Sequence, residues 1–353
     1  MHRSVPRVIV RALLPDGLIV GVAAAVALTS LRAMVRPYID VFAIGTLVVG
    51  VALALRFRRS RILLGLLVIA VTHGAMMWTG QLVLPFTAAA GVLVPLDFAL
   101  LSVLPERGLT ATPARLGAVL LGVQAPIVVL VVLAWPHATS APLTALATLA
   151  IPASPALLAA GGGMVVAGAA YAIEPQPARR AFFWVIAASA AGMAAADRGG
   201  MDLFLAAGQL ILVASAVEDA YALAYRDGLT GLASRRALNE AVSGLRGRYV
   251  AVMVDVDHFK AFNDRWGHDA GDQVLRMVAQ RLRQTAGGGR VFRYGGEEFT
   301  LLFPGRRLDD VRPVLENVRR SVAETPFTVR GADRPARRPR LPRRSTGRPT
   351  VTV

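Results

Sequence analysis

Two acidic segments have the residue types and spacing of a metal-dependent phosphate site. Asp255 directly follows an apolar run at 249–254 that predicts a buried strand. Further along, residues 290–303 predict two strands joined at Gly295-Gly296, because type I′ and II′ hairpin turns need glycine at positive φ. Glu297 and Glu298 would then lie at the tip of a loop. Carboxylate oxygens are the ligands that Mg²⁺ prefers, so these three acids predict a magnesium site for a phosphorylated substrate.

The first two thirds of the chain are too apolar for a soluble domain. The 353 residues are 54% hydrophobic and only 18% charged, and positions 18–217 repeat apolar runs of membrane-spanning length. We predict eight spans in a multi-pass α-helical membrane domain; because several runs are shorter than the ~20 residues that cross hydrocarbon, six or seven spans are the alternative. The runs are 17–35, 40–55, 62–80, 83–104, 116–135, 150–173, 181–196 and 201–218.

Arginines between these runs predict that both termini are cytoplasmic. Cytoplasmic loops retain Lys and Arg, and with eight spans most loop arginines fall on one side, with Arg32 and Arg36 as exceptions. Residues 1–35 lack a clear signal-peptide cleavage site and predict a retained anchor. We therefore expect a protein of the inner (cytoplasmic) membrane in contact with lipid. The arginines on the predicted inner side are Arg3, Arg7, Arg11, Arg56, Arg58, Arg59, Arg61, Arg107, Arg115, Arg179 and Arg180.

The net charge of +16 does not indicate nucleic-acid binding, because membrane loops and a late arginine run account for much of it. That run, residues 330–348, mixes arginine with proline and predicts a disordered insert; contact with anionic lipid is the alternative. The chain has no cysteine, which excludes disulfides and thiolate zinc sites.

After the last apolar run the pattern changes to that of an α/β domain. Residues 218–226 continue without proline or glycine and predict a helical stalk, or else a plain linker. Ser234 is a predicted N-cap for a helix at 235–245, and a strand at 249–254 follows. A helix at 271–285, the hairpin at 290–303 and a helix at 308–324 complete a sheet with packed helices. Residues 350–353 predict the start of a further strand.

Four motifs, in order, resemble the GGDEF family of diguanylate cyclases over residues 227–353. The resemblance implies an α/β domain similar to polymerase palms and adenylate cyclases. It also implies condensation of two GTP molecules to cyclic di-GMP and pyrophosphate by a homodimer that holds one GTP on each protomer. The motifs are Asp227-Gly228-Leu229-Thr230-Gly231-Leu232, Asp255-x-Asp257-x-Phe259-Lys260-x-x-Asn263-Asp264, Gly267-His268-x-x-Gly271-Asp272-x-Val274-Leu275 and Gly295-Gly296-Glu297-Glu298-Phe299.

The same resemblance implies a role for each matched residue. Asp255 and Glu297 would hold Mg²⁺, or Mn²⁺ in its place, with help from the Val256 carbonyl, and Glu297 or Glu298 would activate the attacking hydroxyl. The remaining matched residues would bind the substrate. Phe259 and Lys260 would lie along the triphosphate, Asn263 and Asp272 would bind guanine, and His268, Gly295 and Gly296 would line the nucleotide site.

Two departures from the family pattern change these expectations. Product-inhibited members carry an Arg-x-x-Asp site just before the hairpin, whereas this chain has Ala286-Gly287-Gly288-Gly289, so we predict that the site is absent. In the family, a strand like 350–353 precedes a helix whose lysine and arginine reach the triphosphate. This sequence stops at Val353, so we expect a GGDEF domain that is incomplete at its C-terminus and favour truncation over natural loss.

Three functions remain open at this stage. The first is a diguanylate cyclase under control of a membrane sensory region (residues 1–217), whose signal ligand is unknown. The second is a catalytically silent GTP-binding module, and the third is a membrane receptor or transporter with a regulatory GGDEF domain. His73 and Asp97 are ionisable groups inside neighbouring predicted spans, and an antiparallel arrangement of these spans would bring them to comparable depth. Such groups are costly in a membrane and often functional; the alternative is that Asp97 approaches the inner interface and His73 hydrogen-bonds a neighbouring helix.

Overall fold

The structure is a computed structural model that describes residues 15–79, 83–134, 155–195, 198–328 and 350–352. It forms two compact units, Met1–Ala220 and Tyr221–Val353. The insert predicted at 330–348 lies outside the described residues.

The described part of the first unit is helical. Three of its helices are long and apolar enough to cross a membrane, namely Leu31–Arg56, Pro155–Ile173 and the Gly199–Tyr225 part of the last helix. The structure therefore supports three candidate spans and does not show the eight predicted. The helices are α1 (Asp16–Ala27), α2 (Leu31–Arg56), α3 (Ser60–Thr79), α4 (Val83–Val103), α5 (Thr112–Ala134), α6 (Pro155–Ile173), α7 (Pro177–Ala194) and α8 (Arg198–Tyr225).

The first predicted span is wrong in its boundaries. A continuous run at 17–35 was expected, but α1 ends at Ala27 and α2 begins at Leu31. The Thr29 hydroxyl donates a hydrogen bond of 2.9 Å to the Ala25 carbonyl, which satisfies an acceptor at the end of α1. The expected break at 36–39 is instead helical, since α2 continues through Pro37.

Polar contacts at the ends of several helices hold α8 in the first unit. The Arg180 guanidinium on α7 donates to Asp16 on α1 at 2.8 Å and to Glu218 on α8 at 2.8 Å. The next residue of α8, Asp219, pairs with Arg59 at 3.5 Å. Two arginines from different parts of the unit therefore contact adjacent carboxylates of one helix.

The second unit is an α/β domain built on a four-stranded sheet with strand order β1-β3-β4-β2. Strand β4 pairs antiparallel with both β2 and β3, and β1 pairs parallel with β3. Helices pack on both faces and bury Phe299, Leu301 and Phe303 on one side and Phe292 and Leu302 on the other. The elements are β1 (Ala233–Ser234), α9 (Arg235–Ser243), β2 (Tyr249–Asp255), α10 (Phe259–Trp266), α11 (His268–Thr285), β3 (Arg290–Arg293), β4 (Glu298–Pro304) and α12 (Leu308–Ala323).

The helices, strand and hairpin expected from the sequence all form, with shifts at their ends, whereas β1 and α10 were not expected. The Ser234 hydroxyl accepts a hydrogen bond from the Ala237 amide and caps α9, as predicted. The strand expected at the end of the chain forms, but not in the main sheet as the family resemblance implied. β6 (Thr350–Thr352) pairs antiparallel with β5 (Pro326–Thr328) in a separate two-stranded sheet. This pairing provides hydrogen-bond partners for backbone N–H and C=O groups of both strands.

Candidate active site

Two carboxylates meet where β2 and β4 pair. Asp255, the last residue of β2, lies directly opposite Glu298, the first residue of β4. Opposite residues of an antiparallel pair project from the same face, within about 5.5 Å between Cα atoms. Among the described residues, none forms an ion pair with either carboxylate or with Glu297 beside them. The corner therefore carries negative charge without a protein cation to balance it.

The connection between β3 and β4 differs from the predicted turn. Four residues, 294–297, separate the strands, and neither Gly295 nor Gly296 has the positive φ that a type I′ or II′ turn requires. Instead, the amides of Tyr294 and Gly295 both donate to the Glu298 carbonyl, at 2.8 and 3.3 Å. A Cβ at 295 would lie 2.5 Å from a Glu298 carboxylate oxygen, so a larger residue there would displace the Glu298 carboxylate.

Arg293, to which the sequence analysis gave no role, fixes this loop. Its guanidinium donates to the carbonyls of Gly295 at 3.1 Å and Gly296 at 2.6 Å. The same group forms an ion pair of 2.9 Å with Asp227, the first residue of the motif at 227–232. Asp227 in turn accepts hydrogen bonds from the amide and hydroxyl of Thr230. The sequence signal for this contact was Arg293, two residues before Gly295, together with the acid Asp227 in a separate motif.

Asp227 is held in its ionised form by these contacts. Burial alone would raise the pKa of its carboxyl, but hydrogen bonds from Thr230 and Arg293 outweigh burial and hold the pKa below the ordinary value of 3.8. The charged carboxylate is therefore the form that the fold stabilises.

This lowered pKa predicts how acid weakens the domain. A carboxyl with a lowered pKa in the folded state contributes stability above its unfolded-state pKa, and that contribution is lost as pH falls through the folded-state value. We expect the stability difference between the wild-type chain and D227N to be constant at neutral pH and to shrink below pH 3.8. Hydrogen exchange of residues 227–232 in both full chains measures the difference. A difference that persists unchanged into strong acid would contradict the assignment.

A tight turn leads from β2 to a helix N-terminus. His258 is in the left-handed region, with φ of 55°, and directly precedes α10. The Phe259 amide donates a long hydrogen bond of 3.3 Å to the Val256 carbonyl, which keeps a second lone pair available. The Phe259 ring is buried in the core, so only its backbone can face a substrate, while Lys260 is exposed. A helix N-terminus with a nearby lysine is suited to bind phosphate.

The predicted base-binding residues lie together at the junction of α10 and α11. The Asn263 side chain packs against Gly271, whose neighbour Asp272 is half-buried. The Asn263 amide oxygen is buried and has no hydrogen-bond partner. His268, the first residue of α11, is exposed. An unsatisfied buried acceptor is costly, so this site favours a ligand with N–H donors, as guanine has.

A methyl group at Gly271 tests this arrangement. A Cβ there would overlap the Asn263 amide oxygen, so G271A must displace that side chain. Loss of one hydrogen bond to the base is expected to weaken GTP binding about tenfold. Titration of the full chain with a fluorescent GTP analogue measures the change. The control is G244A, where φ is −86° and the nearest atom to a Cβ is 3.6 Å away. Equal affinities of both variants would remove Asn263 from the binding site.

The donor set at the corner fits Mg²⁺, although not as a closed cage. Within the described ranges, no three His, Asp or Glu side chains are placed to hold a metal ion, so the three predicted acids do not converge. Asp255 and Glu298 are paired across the strands, whereas Glu297 belongs to the loop. Mg²⁺ is commonly bound by one or two carboxylates, several waters and substrate phosphates. The carboxylates, which form no ion pair with the described residues, and the Val256 carbonyl suit such an open site.

Comparison with known proteins finds relatives of the second unit. Residues 224–337 match the family described as "Diguanylate cyclase, GGDEF domain". The chain is 45% identical over 100 residues to diguanylate cyclase VdcA of Vibrio cholerae, covering 27% of this chain and 30% of that protein. It is 38% identical over 125 residues to diguanylate cyclase DgcP of Pseudomonas aeruginosa, covering 33% and 19%. The coiled coil and GGDEF domain of DgcB from Caulobacter crescentus, solved with c-di-GMP, matches at 37% identity over 33% of this chain and 65% of that one, with a TM-score of 0.30.

The second unit is thus an α/β domain with helices on both faces of a mixed sheet. More specifically, residues 224–337 are a GGDEF domain with strong homology to diguanylate cyclases. The chain spans less than a third of the length of either curated relative.

Proposed function

We propose that the GGDEF domain condenses two GTP molecules to cyclic di-GMP and pyrophosphate. The observation that carries the proposal is the pair of carboxylates, Asp255 and Glu298, without a protein cation at the end of β2. The chain continues from this corner into a helix N-terminus suited to phosphates, and the same helix carries the unsatisfied amide oxygen of Asn263, which suits guanine.

Each residue would act by binding, orienting or moving a proton. Asp255, Glu297 and the Val256 carbonyl would hold Mg²⁺, which supplies charge neutralisation at the phosphates when bound. Glu297 or Glu298 would take the proton from the 3′-hydroxyl of the other nucleotide. That oxygen forms a bond to the α-phosphorus, the bond from this phosphorus to the oxygen bridging the β-phosphate breaks, and pyrophosphate leaves with the electron pair. The same step between the second 3′-hydroxyl and the other α-phosphorus closes the ring, so two pyrophosphates leave for each cyclic di-GMP. Phe259 and Lys260 would align the triphosphate, Asn263 and Asp272 would fix guanine, and His268, Gly295 and Gly296 would line the site.

The reaction requires two GTP molecules that face each other, so we propose that two copies of the domain associate during catalysis. We also propose that the first unit is a multi-pass anchor of the inner membrane that controls this association, with both termini cytoplasmic. The three candidate spans support a membrane location. The uninterrupted helix α8, which ends at Tyr225 close to the start of the matched domain, supports transmission through a helical stalk.

A single assay separates this function from its rivals. The full chain, purified in detergent, is incubated with GTP and Mg²⁺, and products are separated by chromatography. Cyclic di-GMP with stoichiometric pyrophosphate supports the cyclase. GTP binding without any product would support the silent nucleotide-binding module, and absence of both would favour a receptor or transporter. Residues Ala286–Gly289 replace the Arg-x-x-Asp product site. We therefore still predict that the product does not inhibit the enzyme through this site.

A further inference from the structure

A group of ionisable side chains lies between three helices of the first unit. His73 on α3 is buried, and its Nε2 atom is 3.3 Å from a carboxylate oxygen of Asp40 on α2 and 3.6 Å from one of Asp202 on α8. The partner of His73 is therefore not Asp97, the residue expected at comparable depth. Asp97 instead accepts a hydrogen bond of 2.8 Å from Gln124. Ionisable groups inside a membrane protein are costly and commonly mark a binding site or pathway.

Two cavities adjoin this group and share Asp40. The larger, about 330 Å³, is lined by Arg36, Pro37, Ile39, Asp40 and Asp202. The smaller, about 130 Å³, reaches His73 and Gln209 and is otherwise lined mainly by apolar side chains. Asp40 is half-exposed, with 51% of its side chain accessible, so its carboxylate is open to a ligand. We call the larger one the outer cavity and the smaller one the inner cavity.

The inner cavity requires hydrogen-bond donors. Gln209 on α8 is only 1% exposed, yet its Oε1 atom has no hydrogen-bond partner. An unsatisfied buried amide oxygen costs free energy, so it favours a ligand that donates an N–H or O–H group. Asp40 presents a second acceptor to the same cavity. An ammonium group, with three donors and a positive charge, matches both residues.

The outer cavity contains a positive charge, that of Arg36, in addition to its carboxylates. Arg36 lines it together with the two carboxylates, and the guanidinium can receive a carboxylate in bidentate geometry. A simple cation would be repelled by this arginine, and a simple anion by Asp40 and Asp202. His73, Asp40 and Asp202 lie close together, but within the described residues no three His, Asp or Glu side chains are placed to hold a metal ion, which disfavours a metal ion as the occupant.

We propose that the two cavities bind a small zwitterion such as a free amino acid. Its ammonium group contacts Asp40 and Gln209 in the inner cavity, and its carboxylate contacts Arg36 in the outer cavity. Asp202 and Gln209 both lie on α8, which continues to Tyr225. Occupation of the site therefore changes contacts on the helix that joins the first unit to the chain of the GGDEF domain.

Binding is tested on the full chain in detergent, with no reference to cyclase activity. Thermal-shift screening of the common amino acids is followed by calorimetric titration of those that stabilise the protein. We expect at least one amino acid to bind. Its methyl ester and its desamino analogue should each bind at least about tenfold more weakly, because each lacks one charged contact. Equal binding of a plain amine, tight binding of a divalent metal alone, or no binding by any amino acid would overturn the proposal.

Variants locate the ligand. Arg36→Gln and Gln209→Leu should each weaken the best amino acid about tenfold, the first by loss of a carboxylate contact and the second by loss of an acceptor. Arg36 is exposed, so its variant is expected to fold even where a buried change does not. The matched control is Asp97→Asn, which alters the separate Asp97–Gln124 contact and should leave the affinity unchanged. Unchanged affinity in Arg36→Gln, or a tenfold loss in the control, would place the ligand elsewhere.

Discussion

Replacing Glu297 with alanine is expected to lower the rate of cyclic di-GMP synthesis by on the order of 10³-fold. Glu297 lies beside the Asp255–Glu298 pair, and its carboxylate would both hold Mg²⁺ and accept the proton of the attacking hydroxyl. Phosphoryl transfer depends on positioning and charge neutralisation, so loss of one ligand affects the transition state more than the bound substrate. We therefore expect kcat to fall while the affinity for GTP, which by our proposal would rest largely on Asn263 and the α10 N-terminus, changes much less.

The measurement is initial-rate kinetics of the full chain in detergent, with GTP binding followed separately. The matched control is Glu316→Ala, because Glu316 is an exposed carboxylate on α12 that pairs only with neighbouring arginines of the same helix. Exposed pairs of this kind contribute little to stability. If E297A retained the rate of the control, Glu297 would have no part in the chemistry and the metal assignment would have to move to Glu298.

Replacing Arg293 with lysine is expected to lower activity about 10²-fold although the positive charge remains. The guanidinium contacts Asp227 and two loop carbonyls at once, and a single ammonium group cannot reach all three. The loop carrying Glu297 would then be free to shift, and a displacement of about 1 Å can cost that much in rate. Arg293 is thus a positioning residue, so kcat should fall with little change in the pH profile.

A double-mutant cycle with D227N tests the mechanism. If Arg293 acts through Asp227 and the loop, the two changes share one network and their effects on kcat should be clearly less than additive. The control is Arg312→Lys, an exposed arginine of α12 with only a weak ion pair of 3.7 Å. Additive effects, or full activity of the lysine variant, would show that the loop is held by other contacts.

The sequence was sufficient for the elements of the GGDEF domain because its local signals agree with the tertiary contacts. The apolar run before Asp255, the Ser234 cap and the hairpin at 290–303 each satisfy a short-range rule, and the structure contains each of them. The glycines at 295 and 296 were predicted for the wrong physical reason. They suggested positive φ, which neither glycine has, whereas the absence of a Cβ at Gly295 leaves space for the Glu298 carboxylate.

Long-range contacts were the part that the sequence could not supply. Arg293 and Asp227 are separated by most of the domain, and only the folded sheet brings them to 2.9 Å. The overlap of Asn263 with Gly271 likewise depends on how α10 and α11 meet. In the first unit, hydropathy alone misplaced the first helix break and did not identify Asp40 and Asp202 as the carboxylates beside His73, because the length of an apolar run encodes neither the ends of helices nor their neighbours.

The ion pairs of Glu218 and Asp219 constrain how α8 can turn about its own axis. Adjacent side chains on an α-helix point about 100° apart, so Arg180 and Arg59 hold α8 from two directions. A small rotation weakens both pairs at once. Rotation of α8 about its own axis therefore has to break two ion pairs that hold it from different sides.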